Sequence, residues 1–354
     1  MSPKLRVGLV GAGIGRRHMT GYDWNKELFD VAVICSLDAD RGEKLCADFG
    51  VPEYGQDFDA LIKRDDLDVI DIATPPHLHF EMAKKAIEAG KDVICEKPLF
   101  GSIAEVDEMA ALLKKTGRRL MPIFQYRYGT GLQKLKRLVD TGLAGKAYMT
   151  TIETHWWRPA AYYDVQWRGK WATELGGGIL GHAVHAHDML NYIHGPTAEV
   201  FGFNATLVND IEVEDNSALA VRMANGSLAT LSMSLGSRDE ISRLRFCFEN
   251  LVAESIREPY TMGRDPWTFK TNDPDLQARI DAEIAKVDPT EDGYTRQFQL
   301  FHAAIANGSE LPVTLEDARR ALELVTAAYY SGRTGKPGIL PIKPDHPYYR
   351  SWAP

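Results

Sequence analysis

The sequence predicts a two-part α/β chain: a doubly wound parallel sheet, then an α+β domain with a large, open, mainly antiparallel sheet. Three observations predict it. Short β-branched strands alternate with amphipathic helical stretches at the start of the chain. Strand-like runs follow one another without intervening helices in the second half. A length of 354 residues suits two domains at roughly 150 residues each. The expected domains are 1–124 and 125–354.

Composition narrows the class. With 44% hydrophobic and 25% charged residues, the chain can build a large core. A formal net charge of −8, spread without any basic block, argues against nucleic acid or an anionic membrane as partner. The four cysteines (Cys35, Cys46, Cys95, Cys247) show no CxxC spacing. Cys35 and Cys95 fall in predicted buried strands, as reduced core residues of a cytosolic protein do. No apolar signal region and no run of about 18 apolar residues is found, so a soluble, cytoplasmic protein is expected.

Leu5–Val10 reads as a buried strand, followed at once by Gly11-Ala12-Gly13-Ile14-Gly15 and a helical stretch. Strand, glycine turn and helix in this order predict a Rossmann-type fold, in which a pyrophosphate rests on the free N–H groups of the helix start. The spacing is G-x-G-x-G, one residue shorter than the usual fingerprint, and it marks Gly11, Gly13, Ile14 and Gly15 as cofactor contacts. The next strand, Val31–Cys35, ends in Ser36-Leu37-Asp38. Asp38 would hold the ribose hydroxyls of NAD and repel the extra phosphate of NADP. Ser36 would accommodate that phosphate, with Arg16, Arg17 and Arg41 as the source of the positive charge NADP needs. The cofactor is therefore NAD or NADP, with a slight lean to NAD.

Asp68–Ala73 is the next buried strand and stops at Thr74-Pro75-Pro76-His77. A helix is predicted from Leu78 to Ala89, with Gly90 as its cap. Then comes strand Asp92–Cys95 and the turn Glu96-Lys97-Pro98. Proline fixes its own φ and pushes the preceding residue towards extended geometry. Ligands of open parallel sheets bind outside the carboxyl ends of the strands, so Lys97 is placed as a working group. A helix from Ile103 to Lys115, ended by Gly117, and a strand from Leu120 complete this half.

The second half opens with Gln125-Tyr126-Arg127-Tyr128 and a helix from Leu132 to Asp140. Strands are expected at Lys146–Trp156, Ala198–Thr206, Ser217–Met223 and Ser227–Leu235. Between the first two lies a polar, aromatic stretch holding Trp157, Arg158, Tyr163, Trp167 and Arg168. Aromatic faces with hydrogen-bonding arginines suit the apolar face and hydroxyl rim of a sugar. It leads into Gly176-Gly177-Gly178, whose missing side chains would let a substrate or cofactor approach, and into His182, His185, His187 and Asp188. On one continuous helix His182, His185 and Asp188 share a face while His187 turns away. The spacing is not that of a helical zinc site, and no metal is expected. Residues 258–289 read as loop and one helix. A helix from Thr295 to Asn307 follows, then one capped by Thr314 and Asp317, and from Gly335 an extended strap over the surface.

The glycine turn, Thr74-Pro75-Pro76, Glu96-Lys97-Pro98 and the glycine triplet followed by His-x-x-Asp together resemble the glucose–fructose oxidoreductase / inositol dehydrogenase (Gfo/Idh/MocA) family over nearly the whole chain. The resemblance implies an NAD(P)-dependent oxidoreductase whose second domain builds a homodimer or homotetramer through its open sheet. It implies cofactor contacts at Ser36, Asp38, Thr74, Pro75, His77, Glu96 and Lys97 as well as the glycine turn. It further implies that Lys97 touches both substrate hydroxyl and cofactor in a cleft between domains, and that His185 is the catalytic histidine. Gly181 stands where the family has an aspartate, with His182 as its nearest replacement; this argues against myo-inositol as substrate. The activity expected is hydride transfer between nicotinamide and a secondary alcohol of a sugar, glycoside or cyclic polyol. Substrate contacts are expected from Lys97, Gln125, Arg127, Trp157, Arg158, Tyr163, Trp167, Arg168, His182 and His185. Two other classes remain open: a glycoside-cleaving enzyme working by transient oxidation and elimination on bound NAD, and a non-catalytic NAD(P)-binding regulator.

Overall fold

The computed structural model describes residues 3–288 and 293–354. It resolves into two compact units. The first takes the described residues up to Gln125 and also Gly293–Ala318; the second takes those from Tyr126 and also Arg319–Pro354.

Six strands form the sheet of the first unit: β1 (Leu5–Val10), β2 (Phe29–Cys35), β3 (Glu53–Gly55), β4 (Val69–Ile72), β5 (Asp92–Cys95) and β6 (Leu120–Pro122). Their order is β3-β2-β1-β4-β5-β6, and every neighbouring pair is parallel. Helices cover both faces of such a sheet, so β4 is buried at every position, and Val7, Leu9, Ile34, Val93 and Ile94 are buried too. The chain switches direction between β1 and β4, the place where open α/β sheets bind ligands. Register aligns the strand ends there: Val10 pairs with Ile72, and Ile72 with Cys95. The turns beginning at Gly11, Ala73 and Glu96 therefore leave one edge side by side, tied by Ala73 N–H to Val10 O (2.8 Å) and Glu96 N–H to Ile72 O (2.9 Å).

The helix Gly293–Asn307 is predicted correctly as an element, but the sequence reading places it in the second domain. It packs instead on the first unit's helix Gly15–Asp23. Phe298 stacks on Tyr22 with ring centroids 4.4 Å apart, and Phe298 and Phe301 are fully buried. Apolar area buried, not position along the chain, decides which unit a helix joins. The Thr314 and Asp317 cap forms as expected: Thr314 N–H donates to Asp317 (2.8 Å) and Asp317 N–H to Thr314 (3.2 Å).

The second unit holds an eight-stranded sheet: β7 (Ala147–Trp157), β8 (Thr197–Ala205), β9 (Asn216–Met223), β10 (Leu228–Ser234), β11 (Gly236–Phe248), β12 (Val252–Glu254), β13 (Thr268–Lys270) and β14 (Gly338–Ile339). The order is β13-β12-β11-β7-β10-β9-β8-β14. All neighbours are antiparallel except β7 and β10, which run parallel, so the sheet is mixed. Alternate residues Ile152, Leu219, Leu231, Leu244 and Phe246 bury one face. The sequence reading stops at Leu235 and misses β11 as well as the three short strands β12, β13 and β14. Within residues 258–289 the structure has β13 and a helix Pro274–Ile284; residue 289 lies outside the described residues. The carboxyl-terminal strap is not superficial throughout. Trp352 is fully buried and donates its indole N–H to Leu175 O (2.6 Å), while Tyr349 is also buried.

Among the described residues no helix is long and apolar enough to cross a membrane. Among them, too, no three His, Cys, Asp or Glu side chains gather as metal ligands do.

Candidate functional site

In the first unit the site is built on the strand ends. Gly11 has φ +103°, and a Cβ there would lie 2.3 Å from Ala73 O, so only glycine lets β1 turn against β4. At Gly13 a Cβ would meet nothing within 4 Å: the turn is open. The helix Gly15–Asp23 starts without a side-chain cap and without an acidic residue in its first turn. Its first N–H groups and dipole suit an anion such as a pyrophosphate. Ile14 is exposed beside them. The shortened G-x-G-x-G turn thus fits a dinucleotide.

After β2, Ser36 is buried and Asp38 caps the helix Ala39–Phe49, accepting the Arg41 N–H (3.1 Å). Asp38 also pairs with the Arg41 side chain at 3.2 Å, with its carboxylate half-exposed. Its carboxylate thus has a local capping role in this structure.

Thr74 and Pro75 lead into a short 3-10 turn at Pro76–Leu78, where His77 is exposed. The residue that organises this region is His79, which the sequence reading does not single out. It is fully buried, with Nδ1 2.8 Å from Pro98 O and Nε2 2.8 Å from Thr74 O. One imidazole thereby ties the Thr74 turn to the Lys97-Pro98 turn. Burial pushes its pKa down, against the two carbonyls that favour ring protons.

Glu96 is buried, and its carboxylate is the hub of the turn. Oε1 lies 2.9 Å from His18 Nε2 and accepts the Tyr294 hydroxyl (2.7 Å), while Oε2 accepts the Lys97 N–H (2.9 Å). Burial alone would raise the Glu96 pKa, but the hydrogen bond and charge of His18 bring it down to about 2. Gln125 is buried and donates to the Tyr294 oxygen (3.3 Å). Lys97 leaves the end of β5 directly after this anchored carboxylate.

In the second unit the histidine segment is not one helix. A turn of helix at Gly178–Gly181 ends at His182, and a second helix starts at Val184 and runs to His194. His182 therefore sits at a break, which corrects the shared helical face expected for His182 and His185. His185 is buried, its ring 4.4 Å from that of Tyr126. Asp188 is held by Arg127, whose Nε donates to Oδ2 (2.7 Å) and whose Nη2 donates to Oδ1. Arg127 is buried in this forked pair, which differs from the expected role as a guanidinium presented to substrate.

The glycine triplet also differs from expectation. A Cβ at Gly177 would lie 1.9 Å from Glu214 O, at Gly178 2.4 Å from Met233 Sδ, and at Gly176 2.6 Å from the Tyr329 hydroxyl. The protein's own atoms fill the space that was expected to admit a ligand. Buried Glu214 accepts N–H bonds from Gly177 (3.1 Å) and Ile179 (2.9 Å) and the Tyr329 hydroxyl (2.8 Å). Burial pushes its pKa up to about 7 despite these donors. At Gly181, by contrast, a Cβ would make only an ordinary 3.7 Å contact with Glu174, so glycine is not sterically required there.

Several predicted substrate residues do gather. Arg158 Nε donates to His182 Nε2 (3.2 Å) and its Nη1 to the Tyr260 oxygen (2.7 Å). A guanidinium can only donate, so His182 Nε2 carries a lone pair and the ring proton sits on Nδ1. The guanidinium of Arg168 lies 3.7 Å from the Tyr162 ring centre and 4.8 Å from that of Trp167, and Arg158 lies 5.0 Å from the same Tyr162 ring. Tyr163 is half-buried, and burial together with the Glu174 charge raises its pKa. Trp157 stands apart, its ring covered by Arg238 at 3.6 Å. Tyr162, from the same aromatic stretch, belongs to the cluster as well. So does Tyr260, which sequence reasoning misses because it comes from a stretch with no readable periodicity.

Comparison with known proteins fits this geometry. A model of oxidoreductases with an NAD-binding Rossmann fold matches residues 5–124, and a model of the Gfo/Idh/MocA C-terminal domain matches residues 132–250. The chain belongs to the Gfo/Idh/MocA oxidoreductases. Among its relatives, D-glucoside 3-dehydrogenase of Escherichia coli is 25% identical over 361 residues, covering 94% of this chain and 97% of the relative. Myo-inositol 2-dehydrogenase of Thermotoga maritima is 25% identical over 337 residues, covering 92% and 95%. The WlbA dehydrogenase of Bordetella pertussis, solved in complex with NADH and UDP-GlcNAcA, is similar with a TM-score of 0.84 at 26% identity, over 96% of this chain and 100% of that one. As a Gfo/Idh/MocA oxidoreductase the chain has an NAD-binding fold and relatives that are sugar or polyol dehydrogenases.

Proposed function

We propose that this chain is an NAD(P)-dependent dehydrogenase, with NAD favoured, acting on a secondary alcohol of a sugar, glycoside or cyclic polyol. The observation that carries the reading is Lys97. It follows an anchored carboxylate at the carboxyl end of β5, on the same sheet edge from which the open glycine turn leaves β1. A bound nicotinamide cofactor, held by the glycine turn of the first unit, would supply the hydride acceptor for the carbinol carbon. Lys97 orients the substrate hydroxyl and stabilises alkoxide charge as it develops. His185 takes the hydroxyl proton, a task suited to an imidazole at neutral pH. Arg127 fixes Asp188, one helical turn beyond His185, so its part is to hold that helix. Arg158, Arg168, Trp167, Tyr163 and His182 bind the rest of the substrate, with His182 donating from Nδ1. Cofactor binding is assigned to the first unit, and substrate binding and oligomerisation to the second. Phe201 and Phe203, exposed on β8, are candidates for a homodimer or homotetramer contact, testable by light scattering.

The test is a panel of sugars, glycosides, nucleotide sugars and polyols with NAD and NADP separately, following reduced cofactor. Product formed without reduced cofactor would reassign the chain to transient-oxidation chemistry; no reaction at all would favour a regulator. With an active substrate in hand, Lys97→Met is expected to lower kcat roughly 10²–10³-fold, the scale for losing one charge-stabilising donor, with NADH affinity little changed. Wild-type turnover in that variant removes Lys97 from the mechanism.

A further inference from the structure

The proposed chemistry makes no use of a buried ionic chain behind the Glu96-Lys97 turn. His18, from the helix Gly15–Asp23, is fully buried. Its Nδ1 lies 2.8 and 3.0 Å from the two Asp71 oxygens, and its Nε2 lies 2.9 Å from Glu96 Oε1. Ionised carboxylates only accept, so both ring nitrogens carry hydrogens and the ring is an imidazolium. Each carboxylate has a phenol donor as well: Tyr22 for Asp71 (2.8 Å) and Tyr294 for Glu96 (2.7 Å). The titratable groups around His18 are thus Asp71, Tyr22, Glu96 and Tyr294, with the neighbouring Cys95 thiol raised by burial. The charges balance: two carboxylates against His18 and Lys97.

Burying such a cluster gains little stability, because desolvation offsets much of the attraction and apolar side chains of the same volume would serve as well. Directional hydrogen bonding is what the cluster supplies that apolar packing cannot. Both Glu96 oxygens are held, one by the His18 ring and one by the Lys97 backbone N–H. We propose that His18 is a positioning residue for the reaction: by bridging Asp71 and Glu96 it fixes the carboxylate that holds the Lys97 peptide, and so sets the direction in which this lysine leaves the strand. The proposal rests on the reading of Lys97 as a working group.

Two variants separate the two hydrogen bonds of the ring. The amide of His18→Gln reaches the place of Nε2 and keeps a donor for Glu96; that of His18→Asn reaches the place of Nδ1 and keeps only Asp71. With a substrate returned by the panel, His18→Asn is expected to lower kcat on the order of 10²-fold, the scale of an ångström's misplacement, with KM for NADH little changed. His18→Gln is expected to recover most of that loss. A merely structural role predicts equal kcat per folded molecule in both variants, and that result overturns the proposal. Should His18→Asn not fold, Tyr294→Phe removes one donor from Glu96 without changing charge and is expected to lower kcat about threefold to tenfold; unchanged turnover there overturns it equally. Nitrogen-15 NMR of labelled histidine gives a readout free of turnover. Imidazolium resonances that persist at pH 8 and vanish in His18→Asn are expected, and a neutral ring sinks the idea. Lys97→Met separates the two readings. If Lys97→Met is inactive while folded His18→Asn turns over normally, only the His18 proposal falls; if Lys97→Met is active, or the panel returns no substrate, both fall.

Discussion

At Gly13 an added methyl group would meet no protein atom within 4 Å, whereas at Gly177 it would lie 1.9 Å from a carbonyl oxygen. Both glycines stand in glycine-rich turns ahead of helical segments, and in sequence both turns invite the same reading as ligand cradles. In the first unit the turn is open and leads to a helix whose first N–H groups have no side-chain cap, so it is available to a phosphate. In the second unit Glu214, Met233 and Tyr329 close over the triplet, and the backbone N–H groups of Gly177 and Ile179 are already taken by the Glu214 carboxylate. Glycine next to glycine signals close approach. Whether the approaching atoms belong to a ligand or to the protein depends on partners far away in sequence, here 37 residues from Gly177 to Glu214.

The largest effect is expected from Gly177→Ala. The new methyl cannot coexist with the Glu214 carbonyl oxygen, a backbone atom two residues before β9 and not a flexible side-chain tip. Stability is expected to fall by about 3 kcal/mol or more, at or beyond the upper end for overpacking, measured by urea unfolding. Stability equal to wild type would show that the second turn is not closed. Next in size is the pH dependence of the carboxylate that closes it. Burial holds the Glu214 pKa at about 7, above its ordinary 4.5. A raised carboxyl pKa favours the protonated form in the fold, so its contribution is complete below pH 4.5 and is lost as pH rises through 7. The stability of wild type minus that of Glu214→Gln should therefore fall by roughly 3 kcal/mol across this window. Glu96 sets the contrast: its pKa of about 2 keeps it ionised, and its contribution is lost only as pH falls below 4.5 towards 2. A flat difference curve for Glu214 would mean that water reaches this carboxylate.

Local signals carried the first unit into view, because its elements depend on near neighbours. The β1-turn-helix unit, the strand ending at Cys95 and the Thr314–Asp317 cap each close within a few residues, and each forms where expected. What stayed hidden depends on distant partners. His18 and His187 are both buried, yet two carboxylates raise the first to about 10 while burial alone lowers the second to about 3. Nothing adjacent to either histidine distinguishes them. The partners of His18 lie 53 and 78 residues away. Arg127 looked free for a substrate because its partner Asp188 is 61 residues on. The helix Gly293–Asn307 was given to the wrong unit for the same reason, since its Phe298 stacks on Tyr22. Strand β11 escaped for a different cause. Its buried positions Ser242, Leu244, Phe246 and Phe248 alternate with Arg243, Arg245 and Cys247, but only Leu235 separates it from β10, so no turn signal announced a new strand.

The smallest expected effect is the sharpest test of the comparison, because it should appear in binding and not in stability. Gly13→Ala adds a methyl group that touches no protein atom, and the backbone there is not in the left-handed region that would penalise it. Melting should be close to that of wild type. If the open turn is the seat of the pyrophosphate, the methyl occupies space the phosphates need, and NADH affinity should weaken by roughly tenfold, about 1.4 kcal/mol. Titration of NADH fluorescence measures this directly. Unchanged affinity would mean that a turn of this shortened spacing does not let the phosphates approach at Gly13. The contact would then fall to the N–H groups at the start of the helix Gly15–Asp23.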